Sequence, residues 1–136
     1  MLLSNINPPP QIDILLPAKE LFTSKNSGAI SNVVYDLVSA STAKKTFTVF
    51  GRPVDESLPC INFHGLLPQA PWFHGQNIGF AAAYLNHITK KTKPDLVEVH
   101  GRSFVAEYIH KKRPDLKLLL YLHNDPRQMR GTKTVH

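Results

Sequence analysis

Apolar and polar positions change their spacing several times along this chain, and each change marks an element. "QIDILLPA" (Gln11 to Ala18) is a short apolar run and the first strand candidate, and "KTFTVFGRP" (Lys45 to Pro53) alternates before a Gly-Arg-Pro stop, which makes it a second. Between them, "GAISNVVYDLVSAST" carries Ile30, Val33, Val34, Leu37 and Val38. Spacings of three, four, seven and eight predict one apolar helical face, opened by Gly28 and capped by Asn26 or Ser27. "CINFHGL" predicts a third short strand before a Pro-rich loop. "QNIGFAAAYLNHITKKT" predicts a helix with small residues on its packing side, stopped by Pro94, with Lys90, Lys91 and Lys93 near its end.

The last unit is the most regular. "PDLVEVHG" (Pro94 to Gly101) predicts a strand and "RSFVAEYIHKKR" an amphipathic helix with Phe104, Val105, Tyr108 and Ile109 on one side. "PDLKLLLYLHND" follows as a second strand. Strand, helix and strand within so few residues form a βαβ unit, which requires a parallel pair. The nearly continuous apolar run "LKLLLYL" predicts a central strand covered on both faces. "SNINPPP" (Ser4 to Pro10) reads as an extended leader, because three prolines oppose both helix and ladder bonding. The expected architecture is an α/β, Rossmann-like three-layer sandwich with a mostly parallel sheet over residues 11–136, preceded by a Pro-rich leader over 1–10.

At 136 residues there is chain for a single core. A formal charge of +6 favours anionic partners without choosing among phosphates, sugar nucleotides, acidic lipids and nucleic acid. One cysteine excludes an internal disulfide and fits a reducing compartment. The N-terminus lacks the charge and apolar length of a signal peptide, and no run approaches a membrane span. A cytoplasmic location follows, with contact at a membrane surface left open by the basic residues at 90–93 and 111–113. The basic residues lack the interleaved aromatics of a nucleic-acid stacking platform, so no nucleic-acid partner is expected. No histidine pair has ligand spacing and no G-x-S-x-G elbow occurs, so neither a metal site nor a nucleophilic hydrolase is expected.

In a parallel sheet, ligands sit outside the carboxyl ends of the strands. The first loop, "PAKELFTSKNSGAI", puts Gly28 at a helix start, where backbone N–H groups can approach a phosphate with Lys19 and Lys25 nearby. A single glycine is neither G-x-G-x-x-G nor a P-loop, so for this loop alone a glycine that merely eases helix entry is the favoured reading. His100 in "VEVHG" and His123 in "LYLHND" end two successive strands. Parallel pairing would turn both imidazoles to one crevice, for donation to a phosphate or sugar hydroxyl or for proton exchange. The alternative is a strand-end histidine bonded to its own loop.

Taken in order, "ILLPAKELFTSKNSGAISNVVYDL", "PDLVEVHGR" and "LYLHNDPRQMRG" resemble the N-terminal half of bacterial GT-B glycosyltransferases, of the group 1 or family 4 type that builds lipopolysaccharide and other surface glycans. The resemblance spans about Ile12 to Gly131. It implies an acceptor-binding domain that works with a donor domain to move a sugar from a sugar nucleotide, a substrate and not a cofactor, to a glycan or lipid-linked acceptor, with retention and usually without metal. By the same resemblance, Ser27 and Gly28 occupy a glycine loop near the donor diphosphate and acceptor. His100 and His123 become catalytic candidates beside the transferred sugar, and Asn124 and Asp125 line the cleft. Many relatives have two adjacent glycines where this chain has Ser27-Gly28, which weakens a tight diphosphate contact. The donor domain has no counterpart, so the chain is expected to be inactive alone, truncated at its C-terminal end, and served by a separate donor-domain polypeptide. It would work at the inner face of a membrane. The alternative is a stand-alone module that binds a phosphorylated sugar or a partner subunit; a receiver-type regulator lacks the needed acidic pair after its first strand.

Overall fold

The computed structural model describes residues 9–25, 28–42, 46–68, 75–88 and 93–122. Among them, five strands form one sheet: β1 (Ile12–Leu15), β2 (Phe47–Gly51), β3 (Phe63–Gly65), β4 (Leu96–His100) and β5 (Leu118–Tyr121). Three helices connect them: α1 (Ala29–Ala40), α2 (Gln76–His87) and α3 (Ser103–Lys112). The strand order is β3-β2-β1-β4-β5 and every pairing is parallel. This is the expected α/β, Rossmann-like sandwich, with β1 at its centre and the strand order reversing beside it.

Alternation along β1 sorts the core into two layers. Ile14 and Leu16 join Val49 under α1, which contributes Val34 and Val38. Leu15 points the other way and joins Phe50, Val97 and Val99 under α2 and α3. Small residues at Gly79, Ala81 and Ala83 keep α2 close to the sheet, while Phe80 and Tyr84 fill the space between. Val105 and Ile109 anchor α3. Each wholly buried aliphatic or aromatic side chain of this kind stabilises the fold by about 1.5–3 kcal/mol.

Two packing expectations need correction. The buried stripe of α1 is Ser31, Val34 and Val38, so the helix is rotated and Leu37 is 51% exposed. Among the described strands β5 is also not central. It is the edge of the five described strands, and Leu119 and Tyr121 on its α1-side face are exposed. Its unbroken apolar run therefore reflects one covered face, where Leu118 and Leu120 pack, and one uncovered face.

The two "PDL" segments differ in use. Asp95 joins the starts of β1 and β4: its Oδ2 accepts from Gln11 N at 2.7 Å, and its own N donates to Gln11 O at 2.8 Å. Asp115 instead accepts both arms of Arg113 at 2.9 Å, with Lys93 Nζ at 3.4 Å, and the Arg113 fork beside it lowers its pKa. Among the described residues no helix is long and apolar enough to cross a membrane.

Candidate functional site

The loops leaving β1 and β4 part at the carboxyl edge of the sheet, where this strand order opens a crevice. Here the crevice is nearly shut. Ala18 N donates to Asn77 Oδ1 at 2.9 Å, which ties the β1 loop to the first turn of α2. Gly101 follows β4 with φ of +117°, and a Cβ there would lie 2.9 Å from Pro17 Cγ. Only glycine suits both the backbone angle and this close approach. What remains is a cavity of about 10 Å³ bordered by Pro17, Asn77, His100 and Arg102, room for about one water.

Beside it lies a larger opening between the loops after β1 and β2. This carboxyl-edge cleft has a volume of about 480 Å³ and is lined by Thr23, Ser24, Lys25, Arg52, Asp55 and Glu56. The loops are held from beneath. Phe22 is fully buried and stacks on Phe63 at 5.4 Å and 8°, and its carbonyl accepts from Leu58 N at 3.1 Å. A rigid apolar floor thus presents two cations, two carboxylates and two hydroxyls to solvent, groups that suit a hydroxyl-rich ligand bearing either charge.

Gly28 stands at the N-cap of α1 with extended backbone and no capping side chain of its own. The space in front of it holds the Glu20 carboxylate, whose Oε2 accepts from Ser31 N at 2.9 Å. A Cβ on Gly28 would collide with that carboxylate. Glycine here makes room for an internal anion, which the helix N-terminus favours as it would a bound phosphate. Glu20 lies eight residues before Gly28, a separation with no capping signature in the sequence.

His100 is 3% exposed, and its ring stacks on Tyr121 at 4.9 Å and 16°. It borders both the small cavity and an apolar groove of about 300 Å³ on the α1 side of β4, where Glu98 is held above the usual carboxylate range by burial. The structure therefore joins His100 to the β5 edge and keeps it from solvent. Ser27, His123, Asn124 and Asp125 lie outside the described residues, as does most of the Pro-rich leader.

The centre of the sheet holds a group that the strand pattern alone flags only as an odd charge in "IDILL". Asp13 is 5% exposed, and Tyr84 donates its hydroxyl to Asp13 Oδ2 at 2.6 Å. Burial raises the Asp13 carboxyl above its usual range, against the Tyr84 hydrogen bond, which lowers it. Burial, and then the neighbouring Asp13, raise the Tyr84 phenol. Among the described residues no three His, Cys, Asp or Glu side chains gather to hold a metal ion.

The fold and this edge define an α/β sandwich of Rossmann-like order with a polar, charged cleft at its carboxyl edge. Compared with family models, curated proteins and solved structures, the chain matches none.

Proposed function

We propose that this chain is the acceptor-binding part of a glycosyltransferase, one that places a glycan or lipid-linked acceptor to receive a sugar from a sugar nucleotide. The observation that carries the reading is the 480 Å³ carboxyl-edge cleft, where Thr23, Ser24, Lys25, Arg52, Asp55 and Glu56 can meet sugar hydroxyls and acceptor charges at the end of the sheet where such folds bind ligands. The Glu20 carboxylate over α1 favours the acceptor over the donor, because a diphosphate approaching there would meet a like charge. The basic last turn of α3, with Lys111 and Lys112, would face the inner surface of the membrane that carries the acceptor. Donor binding and transfer belong to a second domain or a separate polypeptide.

The test is a titration of the isotope-labelled chain. A lipid-free glycan acceptor should perturb the amide signals of Thr23, Ser24, Lys25 and Arg52, and Arg52→Ala should weaken that binding. Uridine diphosphate glucose should not be consumed by the chain alone; release of nucleoside diphosphate by the purified chain would overturn the reading.

One observation favours a second reading, a module that docks a partner subunit. Leu37 at 51%, Leu119 at 46% and Tyr121 at 37% exposure form an apolar patch around Glu98 that no described helix covers. A chain that is monomeric at high concentration and binds no apolar dye would remove that alternative.

A further inference from the structure

A second part of the sheet that the described helices leave partly open is polar. On this side α2 reaches β2 and β3 through Phe50, which meets Tyr84 and His87, and through His64, which meets His87, while Thr48 is half-buried and Asn62 exposed. An open cleft of about 560 Å³ lies there toward the amino edge, with Gln11, Thr48, Asn62, His64 and His87 around it and Asp13 at its floor. Its chemistry differs from that of the carboxyl edge, because no described Lys or Arg lines it. Among the described residues a phosphate would find no fixed cation and a metal no ligand triad, and an apolar ligand would strand the amides.

The polar groups form an ordered row. Thr48 Oγ1 accepts from Gln11 Nε2 at 3.1 Å and from Asn62 Nδ2 at 3.0 Å. A hydroxyl that accepts twice has its own proton left to donate, and each amide that donates has a carbonyl oxygen with which to accept. The row therefore offers both donor and acceptor capacity, which suits vicinal hydroxyls. Beside it on the same face stands a cluster of rings tilted against one another by 39–64°. The Phe50 ring lies 5.7 Å from His64 and 5.4 Å from His87, and the two imidazoles are 4.2 Å apart. Burial and then the neighbouring His87 hold the His64 imidazole below its ordinary pKa.

We propose that the amino-edge cleft is a second saccharide site, which holds one neutral sugar residue on the Gln11–Thr48–Asn62 row and against the exposed His64 and His87 rings beside it. The proposal rests on the glycan-binding reading above and adds a contact on the far edge of the sheet, for a neutral sugar of a longer glycan.

The experiment follows backbone and side-chain signals of the isotope-labelled chain during separate titrations with methyl α-mannoside, methyl β-galactoside, N-acetylglucosamine and inorganic phosphate. At least one sugar should shift the side-chain amides of Gln11 and Asn62 and the imidazoles of His64 and His87 in a saturable way, and phosphate should not. Asn62 and His64 are exposed, so Asn62→Leu and His64→Ala should keep the wild-type circular dichroism and melting temperature while weakening sugar binding roughly tenfold. The proposal is overturned if no sugar moves these signals, if phosphate moves them equally, or if both variants bind as the wild type does. Signals of Thr23, Ser24 and Arg52 report the carboxyl edge independently. Shifts confined to that edge overturn this proposal alone, and shifts confined to the amino edge sustain it while counting against the carboxyl-edge reading.

Discussion

Replacing Tyr84 by Phe removes one oxygen from the middle of the fold and tests how the central strand tolerates its charge. The ring stays buried, so packing changes little; the loss is the 2.6 Å hydrogen bond to Asp13 Oδ2. A hydrogen bond to a charged group contributes about 1.5–3 kcal/mol, so Tyr84→Phe should cost about 2 kcal/mol at neutral pH. For a domain of this size that lowers Tm by roughly 6–10 °C. The pH dependence carries the sharper information. Asp13 is an acid whose folded pKa is raised by burial, so the native chain holds the proton more tightly than the unfolded one. Stability is therefore greatest below the ordinary carboxylate pKa and falls as pH rises through the raised value. Without the Tyr84 hydroxyl the folded value rises further and the fall becomes deeper, so the variant's deficit should be small in acid and full at neutral pH. In an Asp13→Asn background the same Tyr84→Phe change should cost only about 1 kcal/mol, as for a neutral pair. Urea unfolding followed by far-UV circular dichroism across pH measures all four corners of the cycle. A deficit that is the same at every pH and in both backgrounds would refute the charged-bond account and assign the loss to packing.

The two described glycines with positive φ should separate backbone from contact. Gly75→Ala meets nothing within 4 Å and should cost about 1 kcal/mol, whereas Gly101→Ala also drives a methyl into Pro17 and should cost about 3 kcal/mol, read as Tm shifts. Glu20→Ala should cost about 1 kcal/mol through lost capping of α1, with Glu20→Gln recovering part of it, as measured by chemical denaturation. Asp115→Asn, on an exposed pair, should leave Tm unchanged in high salt. Leu119→Ser with Tyr121→Ser should reduce binding of an apolar dye at unchanged secondary structure, since both residues belong to the exposed apolar patch.

Much of this architecture can be read from local sequence. Gly-Arg-Pro after β2 and the two Pro-Asp-Leu entries mark where strands stop and start, and a strand–helix–strand unit forces parallel pairing. What local patterns cannot encode is which neighbour covers a face. "LKLLLYL" reads as central because an apolar run looks alike whether its second face meets a helix or solvent. The stripe of α1 reads as Ile30, Val33, Val34, Leu37 and Val38, yet tertiary packing buries Val34 and Val38 with Ser31 and leaves Leu37 outside. Of the candidate site, the loop at Gly28 was legible as a place where an anion meets a helix, but not that Glu20 supplies the anion. Asp13 could be flagged as a charge within a strand; its partner Tyr84 is 71 residues away and invisible to any local pattern. His64 and His87 carry no ligand spacing, and only the fold brings their rings together.

The central place of β1 has a consequence for how the chain acquires its shape. β1 pairs with β2 from Ile12 to Phe47 and with β4 from Ile12 to Leu96. No tight hairpin contributes to either pairing, so loop closure must precede most of the stabilising contacts and folding should be slow. During synthesis, the strand made first has an open flank until residues 84 positions later emerge. A nascent chain arrested before Leu96 would carry Asp13 and its apolar neighbours on an unpaired edge, the state most open to misassociation.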